Sequence, residues 1–125
     1  MNYKTKWIGS NAIVSFKGVI SFDYINDANG EIYGDARFDT MDFLIFDFQE
    51  VEKFNITKEE ISIISKLDKG SSRWNKNLKL AFIVSDNNKN FKDLTLYYIN
   101  LMNDNDWKIL IFNNLEEALD WCLNG

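Results

Sequence analysis

Residues 42–48 have the sequence Asp-Phe-Leu-Ile-Phe-Asp-Phe, and the fold predicted for the whole chain depends on this stretch. The run is too short for a membrane span and too uniformly apolar to leave one face in water. It therefore predicts the central strand of a sheet that is covered on both sides. Each later strand-like run is followed by an amphipathic helical pattern, which is typical of a parallel α/β sheet.

The residues before this stretch predict a hairpin and a helix. Two β-prone runs, 3–8 and 12–20, are separated by Gly9-Ser10-Asn11, which favour a turn. Over 21–33 the apolar spacing changes to three and four, which predicts a helix. The residues from 34 to 40 are predicted to form a loop.

The residues after it predict two more strands and three more helices. A connection over 49–56 leads to Thr57-Lys58-Glu59-Glu60, a capping box that begins a second helix. This helix is expected to extend to Trp74 and to place Ile61, Ile64 and Leu67 on its core side. The remaining elements are strands over 78–84 and 107–112, a helix over 90–102, and a closing helix that begins near 114.

The predicted fold class is α/β, with one domain over residues 1–125. Its mostly parallel central sheet has an antiparallel hairpin at the N-terminal end, and four helices cover it. The closing helix carries Cys122 on its apolar stripe, so this thiol is expected in the core. Because it is the single cysteine, no internal disulfide can form, and a cytoplasmic location is expected. No apolar run is long enough to predict a membrane span.

The composition excludes several classes of enzyme. The chain has no histidine, so Ser-His-Asp, Cys-His and His-based zinc chemistry are absent. No other catalytic or metal-binding motif is present, and we therefore expect a protein that is not an enzyme and has no cofactor or metal. The net charge of −5 disfavours general binding to nucleic acid, because that affinity comes mainly from Lys and Arg.

A basic flank of the second helix contrasts with this negative charge. Residues 61–92 contain seven basic and two acidic residues. The cations at spacings of three and four are Lys66, Lys69, Arg73 and Lys76. One interpretation is a docking surface for an acidic partner, a phosphorylated ligand or an anionic lipid head. The other is a solvated helix face whose cations suit the helix C-terminus.

Polar residues at the strand ends are a second group of candidates. Ligands of open α/β sheets bind beyond the carboxyl ends of the strands, where the sequence has Asp47, Asp86, Asn113 and Asn114. Two aspartates there could hold Mg²⁺. Alternatively, each carboxylate accepts backbone N–H groups in its own loop.

Several segments resemble the STAS group, the SpoIIAA-like anti-sigma factor antagonists. The segments are Leu44-Ile45-Phe46-Asp47, then Val51, Phe54 and Thr57, and the strand from Leu80 to Val84. Phe38-Asp-Thr-Met-Asp-Phe43 and the ending from Phe112 to Leu123 resemble an uncharacterised bacterial branch of that group. The resemblance covers nearly the whole chain.

This resemblance implies a β-α superhelix that is shared with the lipid-binding CRAL-TRIO domains, and a regulatory, non-enzymatic role. Typical members carry Asp-Ser-Ser/Thr-Gly at the start of the second helix, where a partner kinase phosphorylates a hydroxyl. Here the register gives Asn55-Ile56-Thr57-Lys58. Thr57 matches the phospho-acceptor position, but the Asp, the neighbouring Ser and the Gly are absent. The capping box explains Thr57 without any regulation.

The leading functional hypothesis is a regulatory or protein-interaction domain in bacterial signalling, which binds a protein partner through the second helix and the loop before it. The alternative is a carrier of a small apolar or lipid-like ligand in a pocket lined by aromatic residues. An enzyme is the third choice. The identity of the partner and the oligomeric state, a homodimer included, are left open.

Overall fold

A five-stranded sheet with four helices forms the fold, which a computed structural model describes over residues 2–125. The strands are β1 (Tyr3–Ile8), β2 (Asn11–Ser21), β3 (Phe43–Asn55), β4 (Lys79–Ile83) and β5 (Lys108–Phe112). The helices are α1 (Phe22–Tyr33), α2 (Lys58–Ser71), α3 (Lys89–Leu101) and α4 (Leu115–Asn124). The predicted α/β fold class is confirmed, including the hairpin, the mostly parallel sheet and the four helices.

The strands lie side by side in their order along the chain, β1-β2-β3-β4-β5. β1 and β2 are antiparallel, and all later neighbours are parallel. The apolar run that begins at Phe43 is therefore central, because β2 and β4 flank it. This confirms the position predicted for that run.

Helices cover both faces of this sheet, but unequally. α1, α2 and α3 pack on one face, where the side chains of Leu44 and Phe46 join the larger core cluster. α4 packs on the other face, against Phe43 and Ile45. All four of these side chains are buried, so the central strand is covered on both sides, as predicted.

β3 is longer than the sequence predicted, because the expected connection over 49–56 continues as strand to Asn55. Its pairing with β4 ends where Asp47 lies opposite Ile83, whereas its pairing with β2 continues to Asn55. Beyond Asp47, β2 and β3 therefore pair only with each other and form a two-stranded arm. The register shifts twice along this pairing, next to Gly18, whose φ of +74° is readily adopted by glycine.

Three other local predictions were wrong. The segment expected to be a loop contains a 3-10 helix over Ala36–Thr40, and the Asp35 side chain caps it by accepting from the Arg37 backbone N–H. α2 ends at Ser71 and does not reach Trp74, because residues 72–74 form turns. Leu67 was expected on the core side of α2, yet it is 52% exposed.

Hydrogen bonds hold together the loop segments that precede the parallel strands β3, β4 and β5. The buried Asn75 donates through Nδ2 to the carbonyl oxygens of Phe38 and Met41, at 2.8 and 2.7 Å. The indole N–H of Trp107 donates to the Asn75 carbonyl oxygen at 2.7 Å. These bonds connect the segments that precede β3, β4 and β5, so they fix where each strand begins.

No helix among residues 2–125 has the length and apolar character that crossing a membrane requires.

Candidate functional site

Thr57 caps the N-terminus of α2. Its Oγ1 accepts from the Glu60 backbone N–H at 3.1 Å, and its own backbone N–H donates to Glu60 Oε1 at 2.9 Å. The predicted capping box is therefore present. The Thr57 hydroxyl also lies 3.2 Å from that carboxylate, so a phosphate there would meet a like charge. Phosphorylation of Thr57 stays a prediction.

The four predicted cations do not share one environment. Lys69 forms an ion pair with Asp104 at 3.0 Å, and the pair lowers the pKa of Asp104. Lys66, Arg73 and Lys76 are exposed, and across residues 2–125 no carboxylate lies within 4 Å of them. Three of the four cations are thus available to a negatively charged partner.

Large apolar side chains lie among these cations. Ile63 is 47% exposed and Trp74 is 77% exposed, and Leu67 lies between them in sequence. On α2, residues 63, 66, 67 and 70 point to one side, since a spacing of three or four residues is about one helical turn. We give the name outer face of α2 to the exposed residues Ile63, Lys66 and Leu67 of that helix together with Arg73 and Trp74 of the turns that follow it. The sequence had not indicated the exposure of Ile63, and it had predicted Leu67 on the core side.

The polar residues predicted at the strand ends bond within their own segments, and the prediction that Asp47 ends its strand was wrong, because β3 continues to Asn55. Asp47 is half-buried and accepts from the Gln49 backbone N–H at 3.0 Å, and burial raises the pKa of its carboxyl. Asp86 pairs with Lys92 at 2.8 Å. Asn114 caps α4 by accepting from the backbone N–H of residue 117 at 2.9 Å. In the part of the chain that the structure describes, no three acidic or cysteine side chains converge on a metal site.

Asn113 contributes its backbone to this edge of the sheet. Its carbonyl oxygen accepts from Gln49 Nε2 at 3.5 Å, a long bond between the middle of β3 and the residue after β5. The residue is exposed. Among the strand-end candidates the structure therefore brings Asn113 near the part of β3 that contains Asp47, through the intervening Gln49.

An apolar pocket lies between the three helices of the larger core and the carboxyl half of β3. Phe46 and Phe48 form its floor, and Phe54 from the two-stranded arm stacks on Phe91 of α3 beside it. The other apolar lining residues are Ile25, Ile56, Ile61, Ile64 and Phe82. The cavity has a volume of about 40 Å³. It lies at the edge of the sheet where the sequence predicted a ligand, but its lining is mostly apolar.

Five polar residues line this pocket or bond to its wall: Asn29, Tyr33, Asp68, Thr95 and Tyr98. Asp68 of α2 is 3% exposed and accepts from the Tyr33 hydroxyl at 2.8 Å and from the Tyr98 hydroxyl. Burial raises the pKa of Asp68 to about 7, although both hydrogen bonds act in the opposite direction. Asn29 of α1 is 7% exposed, and no donor of residues 2–125 bonds to its Oδ1.

Sequence reasoning missed Asp68, Tyr33 and Tyr98 as a group. A signal was present, because Asp68 lies seven residues after Ile61 and four after Ile64, on the apolar stripe of α2. An acid in such a position is buried only where donors reach it. These come from α1 and α3, and the sequence does not reveal that contact.

Cys122 lies in the core, as predicted. It is buried against the sheet on the α4 side, and burial raises the pKa of its thiol to about 11. A thiol with so high a pKa carries almost no reactive thiolate at neutral pH. Cys122 therefore packs as a small apolar side chain.

Comparison with known proteins gives no family for this chain. No protein-family model matches it, and no curated protein matches it either. The chain has an α/β fold, and its five-stranded sheet is antiparallel only between β1 and β2. A functional assignment therefore depends on the geometry of the chain itself.

Proposed function

We propose that this chain is a non-enzymatic interaction domain that binds an acidic protein segment through the outer face of α2. One observation carries the proposal. The outer face presents exposed apolar side chains, Leu67 and Trp74 among them, next in sequence to Lys66 and Arg73, two cations that form no ion pair with residues 2–125.

The chemistry of this face suits a protein partner. Exposed tryptophan and arginine are the residue types that most often contribute large shares of binding energy at protein interfaces. The surrounding lysines would attract a negatively charged segment and speed its association, although the whole chain carries −5. The partner expected from this chemistry has apolar side chains interspersed with Asp and Glu.

The STAS resemblance supports the same conclusion. It implies a regulatory role in bacterial signalling through protein contact, and the observed sheet with its N-terminal hairpin agrees with the fold that the resemblance implies. In that interpretation Thr57 is a phospho-acceptor next to the outer face. Its cap geometry accounts for the residue equally well.

A selection experiment with defined probes tests the proposal. A displayed library of random peptides is selected on the immobilised wild-type protein and, separately, on the Lys66→Glu/Arg73→Glu variant. The proposal expects peptides rich in Asp, Glu and apolar residues on the wild type, with binding at least tenfold weaker on the variant.

A matched control keeps this experiment specific. The variant Lys4→Glu/Lys6→Glu makes the same change of charge on β1, the strand at one edge of the sheet, whereas α2 follows the central strand β3. This variant should bind the selected peptides like the wild type. Peptides without acidic residues, or peptides that bind the α2 variant as well as they bind the wild type, would contradict the proposal.

A second candidate function is the transport or storage of a small apolar ligand, which the pocket beside Phe48 favours. The size of the cavity limits this candidate. About 40 Å³ corresponds to roughly three water-sized spheres, at about 10–15 Å³ each. A lipid chain would have to displace aromatic side chains. Native mass spectrometry of the protein purified from cells tests it, and a mass equal to that of the bare chain would count against it.

A further inference from the structure

We propose that the pocket selects small apolar molecules that carry one hydrogen-bond donor, and that Asn29 Oδ1 accepts from that donor. The inference rests on the second candidate function and specifies the chemical class of its ligand. It begins from a buried polar side chain that the protein itself does not satisfy.

Asn29 is unusual among the buried polar side chains. It lines the pocket, it is 7% exposed, and no donor in the described chain reaches its Oδ1. An acceptor that is buried without a partner loses its bonds to water and gains nothing in return. A ligand that donates to Oδ1 would recover that lost free energy, whereas a purely apolar ligand would not.

The other polar groups of the wall are already committed. The two carboxylate oxygens of Asp68 accept from Tyr33 and Tyr98, so those hydroxyl protons are used. Thr95 donates its hydroxyl proton to the Phe91 carbonyl oxygen at 2.9 Å. No tyrosine or threonine hydroxyl of the pocket wall is therefore left to donate to Asn29. The available acceptor and the apolar lining together define a ligand with one donor and an apolar body.

The volume sets the size of the probes. A cavity of about 40 Å³ takes a few non-hydrogen atoms, and the rest of a ligand would extend beside Phe54 and Phe91. 1-Butanol and diethyl ether meet this limit and are isomers. They contain the same atoms, but only the alcohol has a donor.

Titration of both isomers, followed by the NMR signals of the wild-type protein, tests the proposal. We expect the signals of Asn29 and Phe48 to move with either compound, and 1-butanol to bind about tenfold more tightly than diethyl ether, because only the alcohol satisfies the buried acceptor. In the Asn29→Leu variant this preference should disappear. Thr95→Val is the matched control, since it also removes a polar group from the wall, and it should keep the preference.

The outcomes separate the inference from the function on which it rests. If both isomers bind the wild type equally, the pocket does not prefer ligands that carry a hydrogen-bond donor, and this inference is wrong. The pocket would still bind small apolar molecules, as the second candidate function requires. If neither isomer shifts the signals of the lining residues, both statements are wrong. Should Asn29→Leu fail to fold, Asn29→Ala serves the same purpose. A tenfold preference that survives in either variant would also overturn the role of Asn29.

Discussion

Two buried asparagines, at opposite ends of the same core layer, have opposite surroundings. At the amino ends of the strands, Asn75 donates to the carbonyl oxygens of Phe38 and Met41 and accepts from Trp107 through its own backbone. Towards the carboxyl ends, Asn29 lines a cavity, and its Oδ1 bonds to no group of the described chain. One end is packed and fully bonded, and the other has free space and an unsatisfied acceptor.

The difference separates what supports the fold from what is available for binding. Asn75 connects three segments and contributes to stability, since its loss would leave the Met41 carbonyl oxygen without a donor and remove one of the two bonds to the Phe38 carbonyl oxygen. A buried amide oxygen that no donor of residues 2–125 reaches costs stability, and in our proposal a ligand satisfies it. The amino-end region thus supports the fold, and the carboxyl-end region is where we propose that a ligand binds.

The largest effect is expected at the structural end. Asn75→Leu leaves the Met41 carbonyl oxygen without a donor, whereas the Phe38 carbonyl oxygen keeps its bond from the Met41 backbone N–H. The change also removes the acceptor of the Asn77 backbone N–H. We expect a loss of about 4 kcal/mol in the free energy of unfolding, from about 2 kcal/mol for the unpaired Met41 oxygen and about 1 kcal/mol for each of the two other lost bonds. Urea denaturation measures it. A loss below 1 kcal/mol would remove the contrast between the two ends.

A pH-dependent effect of intermediate size is expected at Asp68, which lies between the two ends. Its pKa is about 7 in the folded protein, against an ordinary value near 3.8, because burial disfavours the charged form. The folded state therefore binds more protons between about pH 4 and pH 7. The contribution of Asp68 to the free energy of unfolding therefore falls as pH rises through that window, and it is constant above it.

The variant Asp68→Asn, which stays neutral, should lose this dependence. Relative to wild type, its free energy of unfolding should rise by about 3 kcal/mol between pH 4 and pH 8, at 1.36 kcal/mol per pKa unit with some relaxation. The hydroxyls of Tyr33 and Tyr98 both donate to this carboxyl and belong to the same network. Burial raises the pKa of each phenol well above its ordinary value. A difference that is independent of pH would show that Asp68 is ionised at pH 5.

A smaller effect is expected at the cap of α2. Thr57→Ala removes the hydroxyl that accepts from the Glu60 backbone N–H, and it should cost about 1 kcal/mol. Ser62→Ala, inside the same helix, is the control and should change stability by less than about 0.5 kcal/mol. If Thr57→Ala has no effect on stability, the capping role would be insufficient to explain Thr57, and the phospho-acceptor hypothesis would gain support.

The smallest effect is expected on the outer face of α2. Leu67→Ala should cost less than about 0.5 kcal/mol, because this side chain is half exposed, whereas Ile64→Ala should cost about 3 kcal/mol. Thermal denaturation of both variants gives the comparison. Equal losses would mean that Leu67 belongs to the core and is not available to a partner.

The architecture could be predicted from the sequence because its signals are local. The apolar run at 43–46, the turn at Gly9 and the capping box at Thr57 each indicate one element, and the structure has these elements where they were expected. β3 was predicted too short, because residues beyond Phe48 are largely polar. They pair only with β2 in the two-stranded arm, where solvent reaches them.

The candidate site was less predictable, because it depends on contacts between distant residues. The periodicity of α2 favoured Leu67 over Asp68 for burial, and the structure reverses that choice. Only Tyr33 and Tyr98, from two other helices, make a buried acid acceptable there. In the same way, nothing in the local sequence shows that Asn29 is buried with an Oδ1 that no donor of residues 2–125 reaches.

The most direct test of the contrast between the two ends is the free energy of unfolding of Asn29→Leu, measured without ligand beside wild type and Asn75→Leu. Since the change removes a buried acceptor that bonds to nothing, the account predicts that Asn29→Leu is as stable as wild type or about 1 kcal/mol more stable. A loss of 2 kcal/mol or more would contradict it, because Asn29 would then support the fold as Asn75 does.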